Sequence, residues 1–138
     1  MNVMIDTNVV IDDILNRLPN AIYAQRISDL IVDSKLNGYL TANSLTDIYY
    51  IAGKKYCNEV VREIVRDLLK NYRVASVSGQ DCLDALDLPI EDFEDALVVV
   101  CAKNAQLDYI ITNDSDFLNI NLSVPLISPS GFLALFDE

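Results

Sequence analysis

Asn2-Val3-Met4-Ile5-Asp6-Thr7-Asn8 opens with an unbroken apolar run that stops on an acid, a hydroxyl and an amide. Strands buried on both faces of a parallel sheet are near-continuously apolar, so Asn2 to Ile5 is expected to be such a strand, with Asp6 at its carboxyl end. Open α/β sheets bind their ligands along that edge. Asn8-Val9-Val10-Ile11-Asp12-Asp13-Ile14-Leu15 then reads as the start of a helix. Desolvating an unpaired carboxylate costs on the order of several kcal/mol or more. Asp6 therefore needs a cation, a donor or water. Two readings stand open at this point: Asp6 caps the first helix, as Asp does well, or it belongs to a site.

Working outward, the pattern alternates. Leu18-Pro19-Asn20 breaks the first helix. Ile22, Ile27, Leu30, Ile31 and Leu36 give one helical face, and Asn37-Gly38 is expected to stop that helix in the left-handed conformation. Tyr39-Leu40-Thr41 is a short strand, and Asn43 or Ser44 caps a third helix reaching Lys54. Asn58 is expected to cap a fourth, with Val60, Val61, Ile64, Val65, Leu68 and Leu69 inside. A third strand covers Arg73 to Val77, and a fifth helix begins at Ser78. Ile90 to Gln106 is a sixth helix, apolar almost all round from Ala96 to Ala102 and hence central. Strands follow at Asp108 to Thr112 and at Leu126 to Ser128, and a last helix follows Pro129. This alternation predicts an α/β protein with a mostly parallel five-stranded sheet covered by helices on both faces. The chain has 138 residues, which predicts one domain, 1–138.

Composition narrows the chemistry. There is no histidine, which removes Ser-His-Asp triads and His-ligated zinc. Any metal must be held largely by oxygen, which favours Mg²⁺ or Mn²⁺. Cys57, Cys82 and Cys101 are odd in number and widely spaced, as buried thiols rather than a disulfide framework. No apolar run approaches the ~20 residues of a membrane span, and no signal peptide is visible, so a cytoplasmic protein is expected. The formal net charge is −11. Phosphate binding ordinarily asks for the opposite sign, so action on a nucleic acid would need bound cations and a local basic patch.

Acids recur where elements begin or end: Asp6 after the first strand, Asp47 early in the third helix, Asp95 early in the sixth, and Asp114 and Asp116 after the fourth strand. Each has a plainer reading. Asp47, Asp92 and Glu94 suit the positive end of a helix dipole, and Asn113-Asp114-Ser115-Asp116 is good turn composition. Asp95 borders the most apolar stretch of the chain, where a carboxylate must be paired or bind metal. Strand tips and helix starts share one edge of a parallel sheet, so the four places are expected to converge. Crowded carboxylates suit metal-assisted phosphodiester hydrolysis, in which divalent ions acidify water and offset charge on the reacting oxygens.

With Ile5-Asp6-Thr7-Asn8-Val9-Val10, Thr46-Asp47-Ile48, Asp92-Phe93-Glu94-Asp95-Ala96 and Thr112-Asn113-Asp114-Ser115-Asp116-Phe117 in order, the chain resembles the PIN-domain family over nearly its whole length. The resemblance implies an α/β/α sandwich and a Mg²⁺- or Mn²⁺-dependent ribonuclease. The family's acids map to Asp6, Asp47, Asp95 and Asp114, with Asp116 able to share or replace the role of Asp114. Thr7, Asn8 and Thr112 map to its supporting polar residues. Asp47 stands where the family more often has Glu, one methylene longer, so it is expected to reach an ion through water. Many bacterial members are VapC-type toxins that pair with an antitoxin, form homodimers and cut RNA. A PIN-like scaffold without turnover, serving an RNA or protein partner, is the alternative from another class.

Ten basic residues are present. Arg62, Arg66 and Lys70 recur along the fourth helix, as a solvated face paired with Glu59 and Glu63 or as a basic stripe. Lys54, Lys55 and Arg62 are the candidates for guiding RNA phosphates towards Asp6. Tyr49, Tyr50 and Tyr56 suit core packing or a dimer face, or stacking on bases.

Overall fold

A computed structural model describes residues 1–118, 120 and 122–137. Its strands are β1 (Asn2–Ile5), β2 (Asn37–Thr41), β3 (Arg73–Ala75), β4 (Tyr109–Ile111) and β5 (Leu126–Ile127). They form one sheet in the order β3-β2-β1-β4-β5, parallel at every pairing. The helices are α1 (Thr7–Ile14), α2 (Asn20–Val32), α3 (Ser44–Ala52), α4 (Asn58–Asn71), α5 (Gly79–Leu86), α6 (Phe93–Asn104), α7 (Ser115–Leu118) and α8 (Pro129–Phe136).

The opening run is the central strand. Its side chains alternate between faces, as a pleated strand requires. Val3 and Ile5 join a core built with α1, α2 and α8, whereas Met4 joins a second core with Val98, Val99, Cys101 and Ala102 of α6. β4 divides the same way, Ile111 to the first core and Ile110 to the second. The result is the α/β/α sandwich expected. Ala96 to Ala102 are all buried because α6 is covered twice: its inner side meets the sheet, and Ala96, Leu97 and Val100 pack on Ala85 of α5.

Of the three thiols expected to be buried, only Cys101 is; Cys82 is partly exposed and Cys57 exposed. Three further local expectations are corrected. Asn37-Gly38 does not stop α2. That helix ends at Val32, the left-handed residue is Ser34 (φ 60°), and Gly38 has no positive φ and lies in β2. Glycine is needed there for space, since a Cβ on Gly38 would lie 2.5 Å from Ile31 Cδ1 and 3.0 Å from Tyr72 Cδ2. Second, Asn58 is the first residue of α4 rather than its cap; Cys57 holds the cap position, and the Asn58 amide oxygen accepts from the Tyr49 hydroxyl. Third, α4 buries only Val61 fully, while Val60 is 42% and Leu69 50% exposed. This helix packs on α3 and meets the core through Leu68, so one narrow line of side chains turns inward.

Candidate active site

The sheet brings the acids together for topological reasons. α1 and α3 begin where β1 and β2 end, at the carboxyl edge of the sheet. α6 leads by a short turn into the start of β4, so it runs back along the sheet and its first turn lies at that same edge. The chain leaves the central strand β1 towards β2 on one side and meets β4 on the other. Such a switch point opens a crevice between the strand tips. Here the crevice is a cavity of about 290 Å³ lined by Asp6, Asp47, Asp92, Glu94, Asp95 and Asp114, together with Thr7, Asn8, Ile11 and Ile51. No Lys or Arg is among these lining residues.

Asp6 is 4% exposed and caps α1, accepting from the Thr7 backbone N–H at 2.9 Å. The Thr112 hydroxyl donates to its other oxygen at 2.8 Å and in turn accepts from the Asp114 backbone N–H at 3.1 Å. Asp6 thus caps α1, as the first reading expects, and it also lines the cavity. Burial pushes its carboxyl above the usual range, and the hydrogen bonds from Thr112 and Thr7 only partly offset this. Asp114 accepts from the backbone N–H of Asp116 at 3.0 Å, closing the turn into α7. Asp92 caps α6 by accepting from the Asp95 N–H at 3.0 Å.

Asp95 and Glu94 are less well satisfied. Burial, then the charges of Asp6, Asp92, Asp114 and Glu94, push the Asp95 carboxyl up to about 7. Glu94 accepts from the Thr7 hydroxyl at 3.2 Å. Burial first, then the charge and contact of Asp47, push Glu94 up to about 7 as well. Helix N-termini offer partial positive charge to such groups, and α1, α3 and α6 all begin here. Among the described residues, no three His, Cys, Asp or Glu side chains are drawn tightly enough to hold an ion as they stand. The acids line a common cavity rather than a closed cage.

Of the residues expected from the sequence, Asp6, Thr7, Asn8, Asp47, Asp95 and Asp114 line this cavity, and Thr112 supports it from below. Asp116 lies in an adjoining cavity that shares Asp92, Asp95 and Asp114 with the first. Lys54, Lys55 and Arg62 line neither. Lys54 sits over the Tyr50 ring, and Lys55 reaches the Leu15 carbonyl at 3.4 Å, at the far end of α1. Arg66 and Lys70 pair with Glu63 and Asp67 on their own helix, which favours a solvated face for the rest of that stripe. Two residues were not singled out in the sequence. Glu94 shares the first turn with Asp95, and nothing in the spacing says which way it turns. Asp12 is buried but satisfied, by Arg17 at 2.9 Å and the Asn113 amide at 2.8 Å, and ties α1 to the turn after β4.

The PIN domain family model matches residues 2–116. The chain is 24% identical over 127 residues to Ribonuclease VapC1 of Aquifex aeolicus (strain VF5), covering 88% of each. The fold is similar to VapBC2 from Rickettsia felis bound to a promoter DNA fragment, with a TM-score of 0.69 at 16% identity over 93% of this chain and 98% of that one. It is similar also to a toxin-antitoxin complex from Klebsiella pneumoniae, with a TM-score of 0.68 at 17% identity over 92% and 97%.

Proposed function

The chain belongs to the PIN-domain family, and from that premise we propose that it is a metal-dependent endoribonuclease serving as the toxin of a toxin–antitoxin pair. The observation that carries this reading is the cavity at the switch point, where six carboxylates from four segments of the chain meet with no basic side chain among the lining residues. The donor set fits a hard divalent ion: every charged group is a carboxylate oxygen, and the chain has no histidine. Asp6, Asp95 and Asp114 would hold Mg²⁺ or Mn²⁺ directly, Asp116 sharing the part of Asp114, and Asp47 would act through water. A divalent ion in such a place supplies positive charge against the phosphate and acidifies water.

The chain's own residues do the rest. Thr112 and the Thr7 N–H fix both oxygens of Asp6, so that acid has one orientation to offer. Asn8 presents an exposed amide at the rim, where it can donate to a phosphate oxygen. Ile11 and Ile51 form the apolar part of the lining and exclude water there. The relatives' names support RNA as substrate and an antitoxin as partner, and a homodimer belongs to the same reading. RNA would extend along α3, whose start bears Asp47 and beyond whose end lie Lys54 and Lys55, a rise of about 10 Å.

Asp6→Asn and Asp95→Asn should each lower Mn²⁺-dependent RNA cleavage by about 10²-fold or more, with far-UV circular dichroism unchanged. Cleavage at the wild-type rate by either variant would refute the assignment. Neutralising Lys54, Lys55 and Arg62 together to Gln should raise KM for RNA several-fold while leaving kcat near wild type.

A further inference from the structure

Glu94 lies outside the family pattern, and a place in the first turn of α6 does not by itself say why it faces the cavity. The capping of α6 is already done by Asp92. The Glu94 carboxylate instead accepts from the Thr7 hydroxyl at 3.2 Å and meets Asp47. The placement of charges around it is uneven. Asp95 lies within range of Asp6, Asp92, Asp114 and Glu94, and Glu94 lies within range of Asp47 and Asp6 as well as of Asp95. Glu94 is thus the acid that joins Asp47 to the rest.

Thr7 is 6% exposed and follows Asp6 directly. Its hydroxyl holds Glu94 while its N–H holds Asp6, so the two acids are positioned by one residue. Asp47 has the shorter side chain, and its carboxyl lies against that of Glu94.

Resting on the metal-dependent reading above, we propose that Glu94 is a direct holder of the divalent ion in this protein, filling from α6 the place that Asp47 is one methylene too short to reach from α3. Asp47 then acts on the outer side of Glu94. Outer groups of that kind orient the inner ones and typically alter metal affinity by about 10- to 100-fold.

The test uses the full chain and Mn²⁺ alone, with binding read by calorimetry and by the electron paramagnetic resonance of free Mn²⁺. Glu94→Gln should weaken Mn²⁺ binding by at least about tenfold, close to the loss in Asp95→Asn. Adding Asp47→Glu to Glu94→Gln should restore most of that affinity, because a longer acid on α3 reaches the vacated place. Wild-type affinity in Glu94→Gln, alongside loss in Asp95→Asn, would overturn the role of Glu94 and leave the nuclease reading intact. A loss that Asp47→Glu fails to restore would overturn the exchange between the two positions. No Mn²⁺ binding by the wild-type chain would overturn both readings together.

Discussion

Thr112 shows how much the site asks of one hydroxyl. It donates to a buried carboxylate and accepts the N–H that begins the next turn. Thr112→Val keeps the shape and deletes both bonds, so the metal-free protein should lose about 1–3 kcal/mol, measured by urea unfolding at neutral pH. Thr112→Ser should lose less. Stability of Thr112→Val equal to wild type would show that the bond to Asp6 carries no weight. The acids give a pH dependence with a definite sign. Asp95 rises from 3.8 and Glu94 from 4.5, each to about 7, chiefly through burial. A folded state that binds its protons more tightly than the unfolded one loses stability as pH rises between those values. The metal-free melting temperature should therefore fall between about pH 4 and pH 7 and level off above. Mn²⁺ or Asp95→Asn should flatten the fall, and a rise over that interval would contradict it. Asp6 and Asp95 were legible because each interrupts or borders an apolar run. Glu94 was not, because a first-turn acid has the same composition whether it faces solvent or a cavity.

Elements were legible in proportion to how completely they are buried. The run that became β1 and the all-apolar stretch of α6 gave their places directly, since nothing but a core or a membrane accepts them. Helix α4 was misjudged because composition cannot say how many neighbours a helix will find. Its apolar residues fit one face in the sequence, yet only Val61 is fully buried. Asn37-Gly38 was misjudged for a different reason. Glycine signals either a left-handed turn or a close approach, and at Gly38 the approach is what matters. Ile31 of α2 and Tyr72 beyond α4 close over β2 at that point. Gly38→Ala must push a buried Ile31 and Tyr72 aside and should cost about 1–3 kcal/mol by urea unfolding. A left-handed requirement would instead predict that Gly38→Asn is tolerated better than Gly38→Ala. The close approach predicts the reverse, since the amide adds bulk to the same crowded spot.

For the molecule as a whole, charge sets the terms on which RNA, the substrate proposed, can approach. Ten basic residues face twenty-one acidic ones, and the cavity itself is lined by carboxylates. A basic nuclease loses affinity as salt rises, because counterions compete for the phosphates. This protein should behave in the opposite way at low salt. Raising monovalent salt from about 0.01 M to 0.1 M shortens the screening length from about 30 Å to about 10 Å, which removes long-range repulsion but reaches buried contacts much less. With the divalent ion held constant and low, kcat/KM for RNA should therefore climb over that interval, through association rather than chemistry. Neutralising Lys54 and Lys55 beyond α3 and Arg62 on α4 should steepen the climb if, as proposed, those side chains offset the repulsion of RNA. A kcat/KM that drops steeply with salt in the wild type, and less steeply in the triple variant, would mean that local basic contacts dominate. The acidic balance would then have no bearing on how RNA reaches the cavity.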